Sequence, residues 1–268
     1  MTNVALKTGG SLPPFFCVHA LDGGVDGFRL LAEKLSPERP FYGIRSPSLD
    51  GDLSDIESME ALAAHYVDEM CAIQPQGPYF IGGYSMGGRV AFAMAHRLKE
   101  LDQKVGLLVL LDSRSYIGRR LPSPKERLAR YARVLRKASF KGKTEFIKTQ
   151  IDRRRNKFSG HIVNKRYAKD LADYEQTGNP PPPGVGLTTY INYHINLAYK
   201  ARPFGGPALL IKVDRSFLHP DVHDGWRTVL PGDFREYTAA GRHLTILKEP
   251  DVDEIARVLG EALWLAPS

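Results

Sequence analysis

Short apolar runs alternate with helix-spaced patterns through the first 113 residues. Phe15 to His19 predicts a short buried strand and Val25 to Leu35 a helix. Pro40 to Arg45 predicts a second strand. Ser58 to Ile73 predicts a longer helix, with Ser58 as its cap and Leu62, Tyr66, Met70 and Ile73 along one face. After the break at Gly77 and Pro78, Tyr79 to Tyr84 predicts a third strand, Met86 to Leu101 a helix and Val105 to Leu111 a fourth strand. Strands alternating with helices imply a parallel sheet covered on both faces.

The pattern changes after residue 113. From Pro122 to Lys200 no strand of the same kind is found. Helical stripes run instead through Leu128, Tyr131 and Leu135, through Val163, Tyr167, Leu171 and Tyr174, and through Leu187, Tyr190, His194 and Leu197. Pro180 to Pro183 reads as a stiff connector. Beyond Pro207 the earlier style returns, with strands at Ala208 to Val213 and Phe234 to Thr238 and a closing helix from Val252 to Leu265. The expected organisation is one α/β domain, residues 1–113 and 203–268, interrupted at 114–202 by a helical insertion too long to be an ordinary loop.

Charge follows the same division. The 268 residues carry a formal net charge of +7. The insertion holds 21 Lys and Arg against 6 Asp and Glu, a net of +15, while the remainder holds 16 against 24, a net of −8. A nucleic-acid-binding fold that is basic throughout does not distribute charge this way, and the insertion shows no helix-turn-helix, zinc-ligand or aromatic RNA-binding pattern. A composition of 43% hydrophobic and 25% charged residues excludes a disordered chain, a collagen-like repeat and a coiled coil. No run of eighteen apolar residues occurs, so no membrane-spanning helix is expected. Two cysteines, Cys17 and Cys71, do not make a disulfide framework, and the first residues lack the charged and apolar regions of a signal peptide. The expectation is a cytoplasmic protein.

Gly83-Tyr84-Ser85-Met86-Gly87 matches G-x-S-x-G and falls between a predicted strand and a predicted helix, the context the motif requires. Such a turn lifts the Ser85 hydroxyl to the N-terminus of the following helix, where the helix dipole and the Met86 N–H favour an oxyanion. Serine needs a base, and in this arrangement the chain order is Ser, then Asp or Glu, then His. Of the histidines downstream, His161 and His194 fall in the insertion, and His219 and His223 on a loop past strand 208–213. His243 follows the last predicted strand and precedes the closing helix, which is where a base able to reach Ser85 belongs. Two acids end strands on the same side of the sheet, Asp112 and Asp214, and spacing alone does not choose between them.

These residues resemble the thioesterase domains that end nonribosomal peptide synthetases and polyketide synthases, members of the α/β-hydrolase superfamily. The likeness runs through Phe16-Cys17-Val18-His19 with Gly23 and Gly24, through Phe41 to Pro47, and through Gln74 to Tyr79. It continues through Gly82 to Gly88, Leu110-Leu111-Asp112-Ser113 and Gly241-Arg242-His243-Leu244. Ala20 stands where the family often has proline. The insertion matches only in place and helical character.

The resemblance implies an α/β-hydrolase fold with a mostly parallel central sheet, flanking helices and a helical lid. It implies Asp112, 27 residues beyond Ser85, as the acid of a Ser85–His243–Asp112 triad. It implies Leu21 as a second backbone oxyanion donor beside Met86. The implied activity is a thioesterase that frees an acyl, peptidyl or polyketide chain from a carrier-protein phosphopantetheine thioester through a Ser85 acyl-enzyme, by hydrolysis or cyclisation. No bound cofactor or metal is required. The expected partner is an acyl or peptidyl carrier protein, with Arg119, Arg120, Arg153, Arg154 and Arg155 as candidate docking residues, and neither nucleic acid nor membrane. Two other readings share the triad: a general carboxylesterase or lipase, and a proofreading thioesterase that clears stalled carriers.

Overall fold

The computed structural model describes residues 1–52, 56–115, 184–213 and 225–266. The chain divides into two compact units. The first takes in Met1–Ile117, Pro182–Asp214 and Asp221–Ser268; the second, Gly118–Pro181 with Arg215–Pro220, lies outside the described residues. The stripes at 128–135 and 163–174, the proline run at 180–183, and Arg119, Arg120 and Arg153 to Arg155 also lie outside the described residues.

The first unit is built on one sheet. Its described strands are β1 (Asn3–Lys7), β2 (Phe15–Val18), β3 (Phe41–Ile44), β4 (Tyr79–Tyr84), β5 (Val105–Leu111), β6 (Ala208–Val213) and β7 (Phe234–Ala239). They lie in the order β1-β3-β2-β4-β5-β6-β7. All neighbours are parallel except β1, which pairs antiparallel with β3 at one edge. The helices are α1 (Arg29–Lys34), α2 (Met59–Ile73), α3 (Gly87–Glu100), α4 (Val185–Ala198), α5 (Gly225–Val229) and α6 (Asp251–Leu265).

The central strands are apolar on both faces because helices cover both. Every residue of β2 and β5 is buried. On one side Phe28, Leu31 and Leu35 around α1, and Val252, Ile255, Leu259 and Leu263 of α6, join Phe15, Phe41, Val109 and Ile211 of the sheet in one core. Helices α2 and α3 pack against each other, and α3 lies on β2, β4 and β5. Ser58 caps α2 as expected, its hydroxyl accepting from the Ala61 N–H at 3.0 Å.

Two differences from the sequence reading are informative. Strand β1 was not anticipated: it is five residues long, half-buried, and only Val4 and Leu6 pack on the core. Helix α4 forms where a stripe was expected, but of that stripe only Leu187 is buried and Tyr190 half-buried. His194 and Leu197 are exposed, while Leu187, Thr188, Ile191, Asn192, Ile195 and Asn196 are buried. The buried face carries three polar residues because each finds a partner in the core. Ser48 donates to Thr188 (2.9 Å), Asn192 donates to the Leu21 carbonyl (3.1 Å), and Arg89 donates to the Asn196 side-chain oxygen (2.9 Å). Ranking positions by apolarity selects the wrong stripe in such a helix. Among the described residues no helix is long and apolar enough to cross a membrane.

Candidate active site

The site forms at the C-terminal ends of the parallel strands, where an open α/β sheet places its ligands. Strand β4 ends at Tyr84 and α3 begins at Gly87, so the chain reverses across Ser85 and Met86. Ser85 takes φ 58°, in the left-handed region that costs a non-glycine residue free energy. The turn closes because glycines flank it. A Cβ at Gly83 would lie 2.1 Å from the Gly87 carbonyl group, and one at Gly87 would lie 2.3 Å from the carbonyl oxygens of Val18 and His19. The Ser85 N–H donates to the Leu111 carbonyl at 2.9 Å, which extends the β4–β5 ladder into the turn.

Strand β5 delivers the candidate acid. Asp112 follows Leu111, is buried, and also takes a left-handed φ, 42°. Its N–H donates to the Ile211 carbonyl (2.7 Å), and its Oδ1 accepts from the Val213 N–H (3.2 Å), so β6 holds both its backbone and its carboxylate. The candidate base comes from the loop between β7 and α6. That loop is pinned to the first turn of α6: Thr245 Oγ1 donates to Asp251 (2.5 Å), and the Ala240 N–H donates to Glu254 (2.9 Å). His243 stands between the other two residues. Its Nδ1 lies 2.5 Å from Asp112 Oδ2 and its Nε2 lies 3.0 Å from Ser85 Oγ. A carboxylate oxygen can only accept, so Nδ1 carries the proton and Nε2 is free to accept from the serine hydroxyl.

The structure therefore brings Ser85, His243 and Asp112 together. Asp214, His161, His219 and His223 lie outside the described residues. His194 is on the exposed face of α4. The Leu21 loop follows β2, whose Val18 pairs with Gly83 in the sheet, so it starts beside the serine turn. Neither the Leu21 nor the Met86 N–H meets an acceptor among the described residues.

Two participants were not singled out from the sequence. Tyr84, the variable residue before the serine, sets its ring 4.9 Å from the His243 ring, and its hydroxyl donates to the His243 carbonyl. Trp226 of α5 is fully buried and its indole N–H donates to the Ser113 carbonyl (2.8 Å), bracing the segment after Asp112. The Tyr84 position was marked by the motif. Nothing near Trp226 in the sequence announced its partner.

Comparison with known proteins finds relatives and structural neighbours of this chain. The family model for the thioesterase domain matches residues 13–139. Malpibaldin synthetase of Mortierella alpina is 40% identical over 108 residues, which is 40% of this chain and 2% of that protein. The dimodular nonribosomal peptide synthase of Bacillus subtilis is 26% identical over 268 residues, 96% of this chain and 11% of that protein. The chain thus spans only a small part of these relatives. Among solved structures, the NocB thioesterase domain in covalent complex with a fluorophosphonate nocardicin G analog superposes with a TM-score of 0.67 at 20% identity, covering 98% of this chain and all of that one. At that identity the likeness establishes the fold, an α/β hydrolase with a mostly parallel sheet. Over residues 13–139 the chain is similar to the thioesterase domain, and the relatives it matches include nonribosomal peptide synthetases and a polyketide synthase.

Proposed function

We propose that this domain releases a chain from a carrier-bound phosphopantetheine thioester by way of an acyl-enzyme on Ser85. One observation carries the proposal: an unbroken hydrogen-bonded line from Asp112 Oδ2 through His243 to Ser85 Oγ, at 2.5 and 3.0 Å, on a strained turn at the strand ends. As Ser85 Oγ attacks the thioester carbonyl carbon, His243 Nε2 takes the hydroxyl proton, and the carbonyl oxygen becomes an oxyanion held by the Leu21 and Met86 N–H groups. Collapse breaks the C–S bond, and the imidazolium returns its proton to the departing pantetheine sulfur. A water, or a hydroxyl or amine on the acyl chain, then attacks the acyl-enzyme with His243 again as base. Asp112 keeps Nδ1 protonated and stabilises the imidazolium. The pantetheine arm belongs to the substrate's carrier, and this chemistry uses only the chain's own side chains and backbone.

The +15 segment, read as the lid, supports an acidic carrier protein as the partner, with Arg119, Arg120, Arg153, Arg154 and Arg155 as the contacts. The activity is tested with a panel of acyl-pantetheine thioesters and matched oxygen esters, with products weighed by mass spectrometry. Preference for thioesters supports the reading, and the product masses separate hydrolysis from cyclisation. Faster turnover of simple esters would favour a general carboxylesterase instead.

A further inference from the structure

The residue placed to supply the second oxyanion donor, Leu21, sits between two peptide groups, and a different buried side chain holds each of them. The peptide before it joins Ala20 to Leu21. Its carbonyl oxygen accepts from His19 Nδ1 at 2.5 Å and from the Gly23 N–H at 3.2 Å. The peptide after it joins Leu21 to Asp22, and its carbonyl oxygen accepts from Asn192 Nδ2 at 3.1 Å. His19 and Asn192 are both fully buried.

The chemistry of His19 fixes the direction of its bond. A backbone carbonyl can only accept, so Nδ1 carries the proton. The other ring nitrogen, Nε2, lies 2.7 Å from the Tyr66 hydroxyl, which then donates to it. Burial holds the imidazole neutral, pulling its pKa down to about 4 against weaker opposing effects of the Ala20 carbonyl and Asp22. In a trans peptide the C=O and N–H point to opposite sides. Holding the Ala20 carbonyl against His19 therefore aims the Leu21 N–H the other way. Donation to that carbonyl also polarises the same peptide, which makes its N–H a better donor.

We infer that His19 and Asn192 are positioning residues, which act through the two peptides flanking Leu21 to hold its N–H where the oxyanion forms. Asn192 adds a second anchor far along the chain, because it projects from α4. The Thr188 contact to Ser48 and the Arg89 contacts to Asn196 and Tyr199 anchor that helix at its two ends. The orientation of one peptide in the oxyanion site is thus set from the sheet side by His19 and from α4 by Asn192.

This inference rests on the Ser85 acyl-enzyme reading, and the test separates the two. Four proteins are compared: wild type, His19→Leu, His19→Asn and Asn192→Ala. Each is assayed for steady-state turnover of a soluble acyl-pantetheine thioester and for affinity toward an alkyl boronate, which forms a tetrahedral adduct on a reactive serine. Thermal melting and fluorophosphonate labelling of Ser85 accompany both assays. His19→Leu should lose about 10²-fold in kcat with KM within about two-fold, and lose boronate affinity in parallel. The Asn192→Ala loss should be about 10-fold in the same two readouts. In His19→Asn, the amide nitrogen occupies the place of Nδ1, so kcat should return to within about 10-fold of wild type. If His19→Leu does not fold, the Asn192→Ala pair of readouts carries the test. Variants that melt earlier yet keep wild-type kcat and boronate affinity would overturn the positioning role while leaving the acyl-enzyme reading intact. A wild-type Ser85 that does not label would overturn both.

Discussion

The Ser85 N–H donates to the carbonyl of Leu111, the residue immediately before Asp112. Ser85 and Asp112 are therefore joined through one rung of the β4–β5 ladder, and only His243 has to be brought in from a distant loop. The geometry at the acid should be as demanding as the geometry at the serine. Asp112→Asn keeps the shape but favours the wrong His243 tautomer, so kcat should fall about 10⁴-fold. Asp214→Asn should leave kcat within about two-fold. Steady-state kinetics on the two single variants decides it; the reverse ranking would move the acid to the later strand.

Gly83→Ala tests the turn itself. The added Cβ would meet the backbone of Gly87 at 2.1 Å, and backbone cannot rotate away as a side chain can. Stability should drop by about 2–3 kcal/mol, seen as a lower Tm, and fluorophosphonate labelling of Ser85 should fall even below the melting transition. A variant with unchanged Tm and labelling would mean that the turn is looser than its contacts indicate.

His19 gives a pH dependence with a definite sign. Its folded pKa is held down to about 4 by burial, against 6.5 for the free side chain. Between those values the unfolded chain binds the proton and the folded one does not. Stability should therefore be full above pH 6.5, fall as the pH drops toward 4, and lose about 3 kcal/mol in total from this group. His19→Asn removes the titration, so its urea-unfolding free energy should change less across that window than the wild type's. Equal slopes would show that His19 is not held neutral.

Arg89, on the nucleophile helix, donates to the Asn196 carbonyl (2.7 Å), its side-chain oxygen (2.9 Å) and the Tyr199 carbonyl (2.9 Å). Arg89→Ala strips the C-terminal end of α4 of these charged donors. A loss of about 3 kcal/mol is expected, with faster amide exchange concentrated in residues 192–199. Uniformly unchanged exchange there would contradict the anchoring role.

Much of this was legible in the sequence, for identifiable reasons. Strands β2 to β6 are short apolar runs with helical patterns between them, and Gly83 to Gly87 carries its own local constraint. Chain order placed His243. The acid was not legible from spacing, because Asp112 and Asp214 both end strands on the same side of the sheet; it took the family resemblance to favour Asp112. Helix α4 was legible as a helix but not in its orientation, since Thr188, Asn192 and Asn196 are buried by partners distant in sequence. The contacts of His19 were hidden for the same reason: they depend on Tyr66, 47 residues away.

The basic segment offers a test of the partner. Reversing Arg153, Arg154 and Arg155 to Glu should raise KM for a carrier-linked thioester about 10-fold and more at low salt than at high salt. Turnover of the soluble acyl-pantetheine should stay within about two-fold. Equal loss on both substrates would argue against docking, and no loss on either would favour solvated helix faces.

The most direct measurement concerns Ser85. Wild type and Ser85→Ala are mixed with an acyl-pantetheine thioester, quenched early and weighed, and their turnover is measured in parallel. The expected result is an acyl mass on the Ser85 peptide of the wild type alone, with turnover by Ser85→Ala reduced about 10⁴-fold or more. Normal turnover by Ser85→Ala, or an acyl group carried on another residue, would contradict the acyl-enzyme mechanism.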